Sequence, residues 1–308
     1  MANPTRMAGP DIAVETDLGY RDFVRNHLRP RRPVLLKGAM KRIPAGGWTP
    51  ESLEKRFGDK RFRLDGQEVR FGDFIQRVVN ASPDDPPPYL RNVGVEQDFE
   101  ELIPDLEPGL PYARSNWRFS RYLPAWWFRS KTTFCQFFFT GPGRGFPFMH
   151  VDYPPMHTFS ALSYGRKEWV LFGPDQTPHL YAGSRGGWEM VSGVENPFEP
   201  DLEKYPDFAR AEGSIVMQEA GDVLFVPSGW WHTTRSHSPT IAVAWDHLSA
   251  SSWKPFVTHK LKSEAFTNKS GLYQAAVSAY LALIGAGLKV KESLGATLGN
   301  DARPGRIV

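Results

Sequence analysis

Cysteine is nearly absent. Cys135 is the only one in 308 residues, which excludes an internal disulfide framework and a cysteine-based zinc knuckle and points to a reducing compartment. A charge surplus is missing as well, since 37 Lys+Arg against 34 Asp+Glu leave only +3, too little to steer the whole molecule to nucleic acid or to an anionic membrane. No stretch approaches ~18 uninterrupted apolar residues, and the opening MANPTRMAGPDIAVETD lacks the apolar segment of a signal peptide. These absences lead us to expect a soluble, cytoplasmic protein without a membrane partner. Repeats and low-complexity tracts are also missing, and a 41% hydrophobic composition supplies a substantial core, so the chain is globular.

What is present is aromatic and turn-rich. Ten Trp and 21 Phe beside 28 Gly and 27 Pro describe a β-rich globule better than a helical bundle. The first ~15 residues read as a loose tail, Thr16 as the cap of a helix ending at Pro30, RRPVLLKG as a buried strand, and Thr49-Pro50 as the start of another helix. Residues 61 to 80 suggest a strand pair and a further helix, and SPDDPPP a surface loop. From Lys131 the chain offers KTTFCQFFFT, FPFMHVDY, HTFSALSY, RKEWVLF, SIVMQEA, DVLFVP, WWHTTRS and TIAVAWDHL. These strand candidates within roughly 115 residues predict a barrel or jelly roll. The Gly-rich, aromatic insert between Tyr181 and Gly213 has the length of a functional loop, such as a lid. From Trp253 to Leu294 two helices are expected, the second with Leu272, Ala275, Ala276, Ala279, Tyr280, Leu283 and Ile284 on one stripe. We divide the chain into an α/β extension (1–130), a β core (131–250) and a helical extension (251–308).

Within the core, His150-Val151-Asp152 places an imidazole and a carboxylate at i and i+2, on the same face if the segment is a strand. Eighty residues after Asp152, a Pro-Ser-Gly turn is followed by Trp230-Trp231-His232. Two His and one Asp occupy one face of an octahedral metal and leave positions open, which favours non-haem Fe(II) over a closed zinc site, although spacing alone does not choose the metal. An isolated HxD is common by chance. The weight comes from its company: a later GDVLFVP strand, the WWH run, and Lys167 in RKEWVLF. If Lys167 faces inward with Trp169, its charge requires an anion; if the register is off by one, it is solvated.

The segments HVDYPPMHTFSALSYGRKEWVLF and GDVLFVPSGWWHTTRSHSPTIAVAWDH resemble a Jumonji C domain, in the branch of small cupin-like 2-oxoglutarate oxygenases, nearest the lysyl and asparaginyl hydroxylase types. RRPVLLKGAM, WTPESLEKRFGD and PPPYLRNV are similar to the preamble of these proteins. The resemblance implies a mainly β, double-stranded β-helix (cupin/jelly-roll) core and an Fe(II)/2-oxoglutarate-dependent dioxygenase using O2. It implies His150, Asp152 and His232 as metal ligands and catalytic residues, and Lys167 as the partner of the distal carboxylate of 2-oxoglutarate. Thr158 is a further candidate co-substrate contact. Where relatives carry Thr ahead of the first His and Asn on the last core strand, this chain has Pro147 and Asp246. The C-terminal helix resembles those through which such hydroxylases form homodimers. The leading substrate expectation is a side chain of a protein or peptide; the alternatives are a small natural product or an RNA nucleoside, or a non-catalytic cupin-type metal-binding protein. Arg25, Arg29, Arg31 and Arg32 form the only basic cluster, readable as a phosphate contact or as a solvated helix end.

Overall fold

The structure, a computed structural model, describes residues 9–82, 85, 87–123, 134–186, 188–298 and 303–308. The start of the tail, part of SPDDPPP and the first residues of KTTFCQFFFT lie outside these. Fourteen strands are formed by the described residues: β1 (Ala13–Thr16), β2 (Val34–Lys37), β3 (Arg61–Leu64), β4 (Gln67–Arg70), β5 (Tyr89–Gly94), β6 (Cys135–Thr140), β7 (His157–Tyr164), β8 (Arg166–Phe172), β9 (Ala182–Arg185), β10 (Trp188–Ser192), β11 (Gly213–Glu219), β12 (Val223–Val226), β13 (Trp231–Ser236) and β14 (Thr240–His247). One sheet runs β1-β2-β12-β7-β14-β6-β5, and a second runs β11-β8-β13. Together they form the expected cupin architecture, with β3-β4 and β9-β10 as separate hairpins.

Seven of the eight core strand candidates are strands. FPFMHVDY is not: Pro147 and Pro154 bound it, and only His150 is bridged, on one side to His232 and on the other to Val191. The N-terminal reading also needs correcting. Residues 13–16 are a strand parallel to β2 instead of loose tail, and the following helix starts at Tyr20 behind Gly19, so Thr16 is no cap. Thr49 does cap Pro50–Phe57, exchanging hydrogen bonds with Ser52, and the 61–80 region forms β3, β4 and the helix Phe71–Val79.

The preamble is joined to the barrel by its sheet: β2 pairs with β12, and β5 with β6. The Asp222 carboxylate locks this seam, accepting from Lys37 Nζ at 2.7 Å and from the main-chain N–H groups of Gly38 and Glu219, each at 3.0 Å. Beneath lies a core rich in phenylalanine, in which Phe159 stacks on Trp245 at 5.0 Å and meets Phe23 and Phe225.

The last helix, Gly271–Leu298, has two unlike faces. Leu281, Gly285, Leu288, Glu292 and Ala296 are buried, whereas Leu272, Leu283, Val290, Leu294 and Leu298 are exposed on the other side, including most of the expected stripe. By length and composition this helix could cross a membrane, with a mean hydropathy of 1.4 in its most apolar window, 17% of which is buried.

Removing the fully buried ring of Phe159 should cost about 3–5 kcal/mol. Urea unfolding of Phe159→Ala checks this; a loss below about 1 kcal/mol would contradict the packing described.

Candidate metal centre

His232 and His150 are brought together by main-chain pairing. Pro227 accepts from the Trp230 N–H at 3.1 Å across a turn in which Gly229 has φ 88°, a conformation costly for any residue with a β-carbon. β13 then starts, and His232 exchanges both main-chain hydrogen bonds with His150, at 2.9 and 3.0 Å. The rings face each other with centroids 4.5 Å apart. The approach of the two chains is tight, since a β-carbon on Gly145 would lie 1.6 Å from the Thr234 carbonyl oxygen.

Asp152 completes the cluster. Its Oδ1 lies 3.4 Å from His150 Nε2 and its Oδ2 3.7 Å from His232 Nε2. One ligand atom from each residue falls within 4.8 Å of the others. The remaining ring nitrogens are fixed: His150 Nδ1 lies 3.2 Å from the Phe148 carbonyl and His232 Nδ1 3.1 Å from that of Trp230. A carbonyl only accepts, so each Nδ1 carries a proton and each Nε2, the nitrogen a metal would take, faces the space shared with Asp152. Burial lowers the His232 imidazole below its ordinary range. Burial alone would raise the Asp152 carboxyl, yet His232, His150 and the Thr158 hydroxyl offset this and hold it well below the usual carboxylate range. The donor set therefore fits a divalent transition metal with open positions.

The pocket around the cluster, about 90 Å³, lies between the two sheets. Lys167 enters from β8 with only 4% of its surface exposed, so the inward register holds. Its ammonium lies about 6 Å from the Phe138 and Trp169 rings, at 6.0 and 5.9 Å. Burial pushes it down to about 8. Thr158, also on the wall, donates its hydroxyl to Asp152 Oδ2 at 2.5 Å and lies 3.5 Å from Asp246 Oδ1. Its first partner is thus a carboxylate of the cluster.

Trp169 also reaches the pocket, whereas Trp231 and Trp245 are buried in packing clusters and Trp230 donates to the Arg31 carbonyl. His157 is inside the core, held by the Ser249 and Ser251 hydroxyls and the Ser228 N–H. Sequence reading missed Trp188, carried by the β9-β10 hairpin of the insert. Its ring meets His150 edge-on at 4.9 Å and packs against Phe146 and Phe148. The insert therefore contributes an aromatic wall to the pocket.

Comparison with known proteins agrees with this geometry. The cupin-like domain model matches residues 47–248. The chain is 29% identical to tRNA wybutosine-synthesizing protein 5 of Gallus gallus over 295 residues, covering 88% of this chain and 85% of that protein. It is 28% identical to arginine-specific demethylase JMJ22 of Arabidopsis thaliana over 81% of this chain and 47% of that protein. With 2-oxoglutarate and iron-dependent oxygenase JMJD4 of Gallus gallus the identity is 24% over 73% and 56%.

Burial of the Lys167 ammonium costs stability. Its native-state value near 8 lies below the ordinary lysine value, so the charged form costs about 3 kcal/mol below pH ~8, a cost that fades as pH rises towards ~10.4. Lys167→Met should raise the melting temperature of the ligand-free protein at pH 7 and do little at pH 10; equal effects at both pH values would contradict the assignment.

Proposed function

The chain belongs to the cupin-like, JmjC-type family, and from that premise we propose that it is an Fe(II)- and 2-oxoglutarate-dependent oxygenase with His150, Asp152 and His232 as metal ligands. The observation that carries this reading is the presence, in one pocket, of an open two-imidazole, one-carboxylate cluster and a buried lysine that meets no carboxylate among the described residues. Iron and 2-oxoglutarate, when bound, supply the chemistry, in which O2 places one oxygen atom in succinate, with loss of CO2, and the other in a substrate C–H bond.

The protein's own groups bind, orient and exclude water. Lys167 neutralises the distal carboxylate, and in doing so recovers the cost of its burial. Thr158 fixes the carboxylate of Asp152 and thereby the orientation of the oxygen left for the metal. Phe138, Phe146 and Trp169 keep the pocket dry, so that the oxidant is not spent on water.

Two substrate classes fit. A protein or peptide side chain agrees with the demethylase relative. An RNA nucleoside agrees with the relatives named for tRNA wybutosine synthesis, which the chain matches across 85% and 77% of their length, and this coverage favours RNA. The exposed apolar stripe on Gly271–Leu298 supports pairing with a second copy. Its opposite face is packed on the core, so the helix lies along the protein and presents the stripe sideways.

Purified protein with Fe(II) and 2-oxoglutarate should release succinate, more so with tRNA or a Lys- and Asn-rich peptide library. His150→Ala should abolish release, and Lys167→Ala should raise the KM for 2-oxoglutarate at least thirtyfold, the equivalent of about 2 kcal/mol. No succinate above blank would leave a metal-binding module. Leu283→Glu with Leu294→Glu should halve the mass seen by light scattering; an unchanged mass would end the dimer reading.

A further inference from the structure

Two neighbouring residues at the start of β7 face opposite sides of the strand. Thr158 faces the pocket and holds Asp152, whereas His157 points into the core, where it is fully buried. It lies just past the last β7-β12 pair, Thr158 with Val226, and so beside the turn that leads from β12 to β13.

That turn is built on hydrogen bonds that run towards the metal cluster. Pro227 accepts from the Trp230 N–H, and the Trp230 carbonyl lies 3.1 Å from His232 Nδ1. The place of that carbonyl therefore sets the rotation of the His232 ring, and with it the direction of Nε2. His157 grips the centre of the turn, since its Nδ1 accepts from the Ser228 N–H at 3.0 Å.

The tautomer of His157 is fixed from both sides. A main-chain N–H only donates, so Nδ1 carries no proton. Nε2 lies 3.0 Å from both Ser249 Oγ and Ser251 Oγ. The Ser251 hydroxyl gives its own proton to the Leu28 carbonyl at 2.7 Å, so its oxygen is left to accept from Nε2–H. Burial, with His247 and Arg31 nearby, lowers this imidazole well below its ordinary value, in keeping with a ring that carries one proton.

The partners of the ring are themselves anchored. Ser249 caps the helix Ala250–Leu261, and Leu28 ends the helical segment Val24–Leu28 of the preamble. Trp230 Nε1 reaches the same stretch, donating to the Arg31 carbonyl at 3.0 Å. The turn is thus held at Ser228 and at Trp230 by groups fixed outside its own hairpin. An aliphatic side chain would fill the space beside Phe225, whose ring centroid is 5.3 Å away, without burying two ring nitrogens. What the imidazole adds is an acceptor and a donor on opposite sides of one rigid ring.

We propose that His157 is a positioning residue of the metal centre, which fixes the 227–230 turn so that the Trp230 carbonyl holds His232 Nε2 towards Asp152. The inference rests on the reading of His150, Asp152 and His232 as metal ligands. With Thr158 on one side of the strand and His157 on the other, the start of β7 supports two of the three ligands.

The test is titration of the metal-free protein with Co(II), followed by visible absorption, beside thermal melting of each metal-free variant. Co(II) binds the nitrogen and oxygen donors that suit Fe(II), and its absorption bands report their geometry. The unchanged protein should bind one Co(II). His157→Asn keeps an acceptor near the place of Nδ1, and should hold Co(II) affinity within about twofold with the bands unmoved. His157→Gln keeps a partner for the two serines but no acceptor for the Ser228 N–H, and should weaken Co(II) about tenfold or more and shift the bands. Trp230→Phe removes the other anchor of the turn without opening the core, which guards against misfolding of the His157 variants, and should weaken Co(II) about three- to tenfold. Phe74→Leu, a substitution of a buried preamble ring, should lower the melting temperature and leave Co(II) affinity unchanged. Equal affinity of His157→Asn and His157→Gln, unchanged affinity in both His157→Gln and Trp230→Phe, or a loss in Phe74→Leu that matches theirs would overturn the proposal and leave the metal centre standing. An unchanged protein that takes up no Co(II) would overturn both.

Discussion

The carboxylate of Asp152, set between two imidazoles at 3.4 and 3.7 Å, is the interaction on which the rest of the centre depends. Burial disfavours a charged carboxylate, and the two histidines with the Thr158 hydroxyl offset that cost. A two-hydrogen-bond bridge fixes the histidines opposite one another, and Thr158 turns the carboxylate towards them. Lys167 shows the opposite imbalance at the other end of the pocket, a buried cation with burial alone acting on it. One pocket thus holds a carboxylate between two imidazoles and an ammonium that meets no carboxylate among the described residues. Its stability is spent on pre-organisation.

The fold serves this arrangement directly. β8 and β13 supply Lys167 and His232 from one sheet, and β7 and β14 supply Thr158 and Asp246 from the other, so the pocket is the space between the layers. The preamble adds strands to the larger sheet, and Asp222 ties that seam shut. The insert adds the aromatic wall through Trp188.

Much of this was legible in the sequence. The strand candidates of the core follow alternation and turn residues, and seven are strands, because a half-buried sheet imposes its period locally. The triad was legible through the combination of HxD with a distant WWH, and Lys167 through the anomaly of a charge beside Trp169. Failures came where local pattern was overruled. Aromatic FPFMHVDY has strand composition, but with Pro147 inside it and Pro154 after it only His150 is bridged. Trp188 carried no signal, since its hairpin lies in a segment without periodicity.

The central claim is that the three side chains and Lys167 form one site for a metal and a dicarboxylate. Anaerobic calorimetric titration of 2-oxoglutarate, with and without one equivalent of Fe(II), tests it most directly. The account predicts one Fe(II) per chain, tight 2-oxoglutarate binding only when the metal is present, loss of both in Asp152→Ala, and loss of the dicarboxylate alone in Lys167→Met. Equal 2-oxoglutarate binding with and without metal, or full binding in Lys167→Met, would contradict it.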